Sequence, residues 1–407
     1  MRIAYVTPYQ GPTLIKLRPI VGNRSMSNRV KIELIAQLLY AKGHEVEIFS
    51  HGEVDSPEFR FYPAFEELEP FHTQIPVRYI SALPVRGLYG MWASLEMTKM
   101  LEQRHNTSPF DVLIMFNFKP PQLAGKRYAE RHGIPVILEY EDDPFRVVEG
   151  ERQTFLVNRY QKQAYRQVIS SVSACIGVSP YLLSQVPHAA PKLLLRGVVG
   201  DDVLKASERL RRSKKNIVLF SGTHNKLNGI QELIAAWRAM GLHDWQLHIT
   251  GYGDLTGSLR EAAEDTPGIV FHGLVNRSEL VELMASAKIC VSPQRVSPTL
   301  GDQFPFKVIE YLAAGAHVVM TPMGSLESEI EEGITYMSDN LPETIVSTLQ
   351  RMIGEQRYGR TAEAAVQQRY GPKPVSESLD RLLKDVVGSR WESGRRYCPQ
   401  LEISSQL

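Results

Sequence analysis

Cysteine is scarce in this chain. Its 407 residues hold three, Cys175, Cys290 and Cys398, far apart and with no C-x-x-C between them. Neither a disulfide framework nor a cysteine zinc site is indicated by that pattern. Cys175 and Cys290 sit inside apolar runs and read as buried strand residues. Long hydrophobic runs are also missing, since nothing approaches the ~20 apolar residues that span a bilayer. The N-terminus, Met1-Arg-Ile-Ala-Tyr-Val-Thr-Pro8, enters a strand pattern without a secretory apolar segment, so the expected location is the cytoplasm. No sign of charge dominates: 46 Lys+Arg stand against 45 Asp+Glu, a formal net charge of +1. Such balance argues against a nucleic-acid partner. The 11 histidines are scattered, and no His/Asp/Glu set has metal-ligand spacing. Neither a metal nor a cofactor is implied.

What is present is alternation. Short apolar strands and helical periodicity follow one another from end to end, the pattern of doubly wound α/β domains. In the first half strands are expected at 3–7, 45–49, 77–80, 112–116, 136–139, 174–178 and 192–195, with helices between them. A basic, polar segment from Lys205 to Lys215 precedes a fresh strand and a second alternating series. The expected division is therefore a first domain over 1–204, a linker over 205–215 and a second domain over 216–372. A last helix follows Pro372 and Pro374, over 373–388, and a tail without periodicity runs over 389–407.

One stretch carries more functional information than the rest, Gly301-Asp-Gln-Phe-Pro-Phe-Lys-Val-Ile-Glu310-Tyr-Leu-Ala-Ala-Gly315. Phe304 and Pro305 read as a loop running into a helix, with Pro305 near the first helical position, where its missing N–H costs little. Gly315 ends the helix before an apolar strand. The helix opening, at Pro305, Phe306 and Lys307, offers unpaired N–H groups and a positive dipole end to a diphosphate. Glu310, one to two turns in, is placed to accept hydrogen bonds from both hydroxyls of a ribose, and Asp302 to reach a sugar. The alternative is an ordinary amphipathic helix with a surface Glu310 and a loop Asp302.

The pattern F-P-x-K-x-x-E-Y-x-A-x-G, with an acidic residue eight positions before the glutamate, resembles the signature of retaining glycosyltransferases of family four. That family usually has a glutamate where this chain has Asp302. The resemblance implies a GT-B fold: two Rossmann-like domains facing across a cleft, with a C-terminal helix crossing back to the first. In the second half, Ser221-Gly-Thr-His-Asn-Lys-Leu-Asn-Gly229 resembles the family's G-R-x-x-x-x-K-G, whose arginine and lysine neutralise the departing diphosphate. Here Thr223 and Asn228 stand in those two places after Gly222, and Lys226, with His224, is the substitute. Thr250-Gly-Tyr-Gly-Asp254, with Gly251 and Gly253, resembles the family's G-x-G turn of the nucleotide pocket. Phe271-His-Gly273 and Leu274-Val-Asn-Arg277 resemble the segment bordering the base. Both are also ordinary α/β turns.

On the acceptor side, the long loop from Pro8 to Ser27 carries Gly11 and Gly22 with Lys16, Arg18, Arg24 and Arg29 around them, and no G-x-G-x-x-G. Gly22-Asn23-Arg24 is the nearest substitute for the family's paired glycines, and the cations also read as surface charge. Tyr140-Glu-Asp-Asp-Pro144 follows a strand and looks like the family's acidic segment facing the donor sugar. Either Glu141 or Asp142 would orient an acceptor hydroxyl, with a helix N-cap as the alternative. Asn117 is a second polar candidate on the same rim.

The reaction the resemblance implies is transfer of a hexosyl or related sugar from a nucleotide diphosphate to a hydroxyl acceptor, with retention. The acceptor would be a glycan, a lipid-linked glycan or a small hydroxyl compound, as in polysaccharide biosynthesis. The two domains would close over the donor, hinging near 200–215 and 372–374. Peripheral contact with the inner face of the membrane would involve Phe59-Arg-Phe-Tyr62, Met91-Trp92 and Arg209–Lys215, which also read as loop-packing aromatics and a solvated linker. Two other readings remain open: a non-catalytic nucleotide-sugar-binding subunit that regulates a partner transferase, and a nucleotide-sugar epimerase of GT-B shape.

Overall fold

The structure is a computed structural model that describes residues 1–18, 26–54, 60–68, 74–85, 88–143, 155–187, 189–295, 306–322, 328–356 and 362–392. The chain divides into two compact units. Among the described residues the first takes 1–143, 155–194 and 376–392, and the second 195–375.

The first unit is built on strands β1 (Arg2–Thr7), β2 (Glu45–Ser50), β3 (Phe65–Glu67), β4 (Val77–Tyr79), β5 (Val112–Phe116), β6 (Val136–Tyr140), β7 (Ala174–Gly177) and β8 (Lys192–Leu194). They lie in the order β3-β4-β2-β1-β5-β6-β7-β8, with only β3 antiparallel to its neighbour. Its helices are α1 (Pro12–Leu17), α2 (Met26–Ala41), α3 (Tyr89–Thr107), α4 (Pro120–Arg131), α5 (Phe155–Ser171) and α6 (Pro180–Ser184). β1, β5 and β6 are buried along their whole length, as strands covered on both faces are, and β5 reads as a continuous apolar run.

The second unit holds α7 (Asp201–Leu210), β9 (Lys215–Ser221), α8 (Ile230–Met240), β10 (Gln246–Thr250), α9 (Thr256–Ala263), β11 (Ile269–Gly273), α10 (Arg277–Ser286) and β12 (Ala287–Ser292). It continues with α11 (Phe306–Ala313), β13 (His317–Met320), α12 (Ser328–Glu331), β14 (Ile334–Tyr336), α13 (Pro342–Gly354) and α14 (Glu363–Tyr370). All pairings in this sheet are parallel, in the order β11-β10-β9-β12-β13-β14. Alternate residues of one strand feed opposite cores. Leu219, Cys290 and Val318 pack with α7, α10 and α11, whereas Val218, Ile289 and Val319 pack with α8, α9 and α13. α15 (Pro372–Glu392) begins in the second unit and from Ser376 onward belongs to the first, where Asp380 bonds His44 at 3.1 Å.

The structure departs from the sequence reading in several places. The basic segment expected as a linker from residue 205 lies largely in α7, which starts at Asp201 and buries Val203, Ala206 and Ser207. One of its cations is not free in solvent: Lys214 donates to the carbonyls of Ala285, Ala287 and Ala314 at 2.8–3.1 Å, holding carbonyls at the ends of α10 and α11. The long first loop contains α1, and Pro372 opens α15 rather than preceding it. Arg18, one of the loop's cations, is 1% exposed and donates to the carbonyls of Gly52, Pro63 and Ile80, so it ties the loop down rather than meeting a ligand. Of the scattered histidines, His44 precedes β2 and bonds Asp380 of α15, while His317 is buried in β13 and bonded to Thr335. Cys175 and Cys290 are buried strand residues; Cys398 lies outside the described residues. No described helix is long and apolar enough to cross a membrane.

Candidate functional site

In the second unit the strand order reverses between β9 and β12, and open parallel sheets bind ligands beyond the carboxyl ends of strands at such a point. α11 is clamped there to the end of β9. The Tyr311 hydroxyl accepts the Ser221 N–H at 3.0 Å, and the Lys307 ammonium donates to the Ser221 carbonyl at 3.2 Å. That ammonium also lies 4.6 Å over the Phe220 ring, and burial pushes its pKa down to about 8. At Gly222, where φ is +154°, a Cβ would lie 3.4 Å from the same nitrogen. Asp302, Phe304 and Pro305 lie outside the described residues, and α11 is described from Phe306.

Glu310 is 5% exposed, so it is not the surface carboxylate of the alternative reading. Arg277 donates to its Oε1 at 2.5 Å and reaches Asp202 with two further N–H groups at 2.7 and 3.3 Å. Burial raises the Glu310 pKa, and Arg277 works against that rise. Burial would lower Arg277, but Glu310 and Asp202 together hold it above its ordinary value. The local sequence places the arginine. Asn276 and Glu279 form a capping box, each side chain accepting the other's backbone N–H, which sets Arg277 as the first residue of α10. By sequence Arg277 falls only in the segment near the base, where the N-x-x-E spacing is the signal that places it at a helix start, and Asp202 belongs to no motif.

The glycine turns have a packing reason as well. A Cβ at Gly251, where φ is +125°, would sit 1.9 Å from the Gly222 carbonyl oxygen, and one at Gly253 would sit 2.4 Å from that of His224. The turns after β9 and β10 therefore lie backbone against backbone, joined by the His224 N–H donating to Tyr252 O at 3.2 Å. His224 cannot replace a lost cation. It is 1% exposed, burial lowers its pKa, and its Nδ1 pairs with the Thr256 hydroxyl at 3.0 Å. Asn228 is turned inward, donating to Thr223 O at 2.7 Å and accepting from Gln294 at 2.9 Å, so it braces the loop instead of facing a ligand. Thr223 and Lys226 are exposed at the loop surface.

In the first unit, polar candidates collect beyond β5 and β6, on the edge where β1 and β5 form the other reversal of strand order. Asn117, at φ +56°, uses its Oδ1 to accept the N–H groups of Glu141 and Asp142 and donates to the Asp142 carboxylate at 3.0 Å. Beside it Lys31, on α2, pairs with Glu141 and lies 3.4 Å from Glu139, which accepts from the Tyr5 hydroxyl. Two carboxylates against one ammonium leave an excess negative charge. Burial raises Glu141 to about 7, with Lys31 opposing and Glu139 adding to the rise. Gly22 and Arg24 lie outside the described residues, and Arg29 pairs with Glu33 at 2.8 Å. Among the described residues no three His, Cys, Asp or Glu side chains converge as metal ligands.

Two doubly wound parallel sheets, each with polar groups gathered at its strand-order reversal, define the GT-B architecture. Residues 29–188 match the family model described as glycosyl transferase 4-like domain, and residues 215–355 that of glycosyl transferases group 1. The chain is a GT-B glycosyltransferase by its domains and fold. Similar solved structures include sucrose-phosphate synthase from Thermosynechococcus elongatus, at 16% identity and a TM-score of 0.71 over 96% of this chain and 100% of that one. Anabaena HepE in complex with UDP and glucose has 13% identity and a TM-score of 0.65 over 95% and 100% of the two chains. A glycosyltransferase from Rickettsia africae has 13% identity and a TM-score of 0.64 over 95% and 98%. At these identities the likeness is one of fold. No curated protein is significantly similar in sequence.

Proposed function

We propose that this chain is a retaining, family-four-like glycosyltransferase that moves a sugar from a nucleotide diphosphate to a hydroxyl acceptor. The observation that carries the reading is the buried Glu310 carboxylate, neutralised by Arg277 at the strand-order reversal of the second unit and one turn beyond the Lys307 ammonium. A carboxylate held there accepts the two hydroxyls of a ribose. Lys307, Lys226, the backbone at Gly222 and the α11 N-terminus bind the diphosphate, and Asp302 binds the donor sugar. Retention would follow a front-face path in which the departing phosphate oxygen takes the acceptor proton, so no dedicated nucleophile is required. Rate then depends on positioning and on positive charge preorganised at the leaving group. Glu141 or Asp142 is the acceptor-side group. A glycan or lipid-linked acceptor in polysaccharide biosynthesis, with the protein in the cytoplasm or on the inner face of the membrane, fits this role.

The test is release of nucleoside diphosphate from a panel of nucleotide sugars, UDP-sugars first, with and without a membrane-lipid extract. Wild type is expected to release diphosphate from one donor, more so with extract, and Glu310→Gln and Asp302→Asn to lose at least tenfold in rate. Product anomeric configuration then tests retention. Donor binding without turnover on any acceptor would favour the non-catalytic subunit, a reading that the inward-turned Asn228 supports. Conversion of the sugar without diphosphate release would favour the epimerase.

A further inference from the structure

We propose that Arg277, held by Asp202, is the positioning residue of the nucleotide ribose subsite: it fixes the Glu310 carboxylate in one orientation and in its charged form. This deepens the reading above and rests on Glu310 meeting the ribose. Three helices converge to make the device. Asp202 lies in the first turn of α7, Arg277 is the first residue of α10, and Glu310 lies on α11. The guanidinium spends its Nη1 hydrogen on Glu310 at 2.5 Å, and its Nε and Nη2 on Asp202 at 2.7 and 3.3 Å. A planar fork satisfied on two sides has little rotational freedom, so the carboxylate it grips has little too. Oε2 of Glu310 takes no hydrogen bond from any described residue, which leaves it for a ligand.

Burial alone favours a neutral Glu310, and a protonated acid offers one fewer acceptor to a ribose diol. The charged and titratable groups around it are Arg277 from α10, Asp202 from α7, and Lys307 and Tyr311 on α11 itself. Of these Arg277 alone is a cation bonded to the carboxylate. Arg277 also lines an open cleft of about 380 Å³ with Asp202, Lys205, Arg209, Ser278 and Glu282. Removing the arginine exposes the carboxylate to loss of both charge and orientation.

The experiment is calorimetry with UDP and 2′-deoxy-UDP on wild type, Arg277→Met, Arg277→Lys, Asp202→Asn, Glu310→Gln and the Arg277→Met/Glu310→Gln double variant. Wild type is expected to prefer the ribonucleotide. Arg277→Met is expected to bind UDP roughly ten- to a hundredfold more weakly, the size of a charge-assisted hydrogen bond. It should also lose the ribose preference, and its affinity relative to wild type should fall further as pH drops from 8 to 6. Arg277→Lys should recover part of the loss, and the double variant should bind no more weakly than Glu310→Gln. Equal weakening toward both nucleotides, independent of pH and additive with Glu310→Gln, would mean a merely structural role and overturn the proposal. Should Arg277→Met not fold, Asp202→Asn tests the orientation alone: a smaller loss of affinity and of ribose preference is expected, without the pH slope, because Arg277 stays bonded to Glu310 and the Asp202 charge only raises the Glu310 pKa, and unchanged binding overturns the proposal. A wild type indifferent to the ribose hydroxyl overturns the function proposed for Glu310 and this inference with it. Retained discrimination in Arg277→Met overturns the inference alone.

Discussion

Lys307 and Glu310 stand one turn apart on α11 and carry opposite charges, yet burial pushes both toward neutrality. Only the glutamate has a counterion among its bonded partners. The lysine has a carbonyl and a ring face, and its pKa falls to about 8. A lowered lysine pKa means that the free protein loses this charge as pH rises through about 8, well before an exposed lysine would. A diphosphate favours the charged amine and raises its pKa in the complex. Affinity for UDP is therefore expected to weaken with rising pH, starting near 8 and levelling off once the bound amine also deprotonates. Lys307→Met should bind UDP roughly ten- to a hundredfold more weakly near neutral pH. It should also lose the alkaline bend. Calorimetry across pH 6.5–9.5 measures both effects, and a wild-type affinity that stays constant through that range would remove Lys307 from the phosphate site.

At the scale of elements, the turns after β9 and β10 pack tightly, because a carbonyl stands where a side chain would begin. Gly251→Ala would place a methyl 1.9 Å from the Gly222 oxygen at φ +125°, whereas at Gly273, φ +69°, nothing lies within 4 Å. Gly273→Ala should cost only the left-handed backbone, roughly 1–2 kcal/mol. Gly251→Ala should cost clearly more, since the two turns must separate, and should weaken nucleotide binding along with stability. Urea denaturation of the two variants compares them, and equal losses would show that the close approach is relaxed cheaply. The same turns show what sequence can disclose. The strand at 112–116 was legible to the residue, because a parallel strand buried on both faces has no polar alternation to blur it. α7 was hidden by its cations, although Asp201 and Asp202 at its start and Val203 and Ala206 on its buried face were present to be read. Glu310 was visible through its motif, but its partner Asp202 reaches it only through Arg277, 75 residues away, and Lys31 stands 110 residues from Glu141. Pairings at such distances follow from topology and leave no local pattern.

On the whole-molecule scale, the two units depend on the chain differently. The second sheet, both of its cores and the Asp202–Arg277–Glu310 set fall within residues 195–375, a single stretch. The first unit is discontinuous, because it needs α15 from Ser376 onward. That helix buries Leu379, Leu382, Leu383 and Val386, and Asp380 bonds His44. At about 1.5–3 kcal/mol for each fully buried side chain, those four are worth roughly 6–12 kcal/mol. A domain's entire stability is of the same size, about 5–15 kcal/mol. A fragment of residues 195–375 is therefore expected to unfold cooperatively and to bind UDP within about tenfold of the full chain. A fragment of residues 1–194 should be poorly folded or aggregate, and a peptide covering residues 376–392 should restore its cooperative unfolding when added or co-expressed. Circular dichroism melts of the two fragments, the second with and without the peptide, decide the matter. A stable, cooperative 1–194 fragment would show that α15 is dispensable to the first unit. Failure of 195–375 to fold would show that the second unit takes essential support from chain outside it.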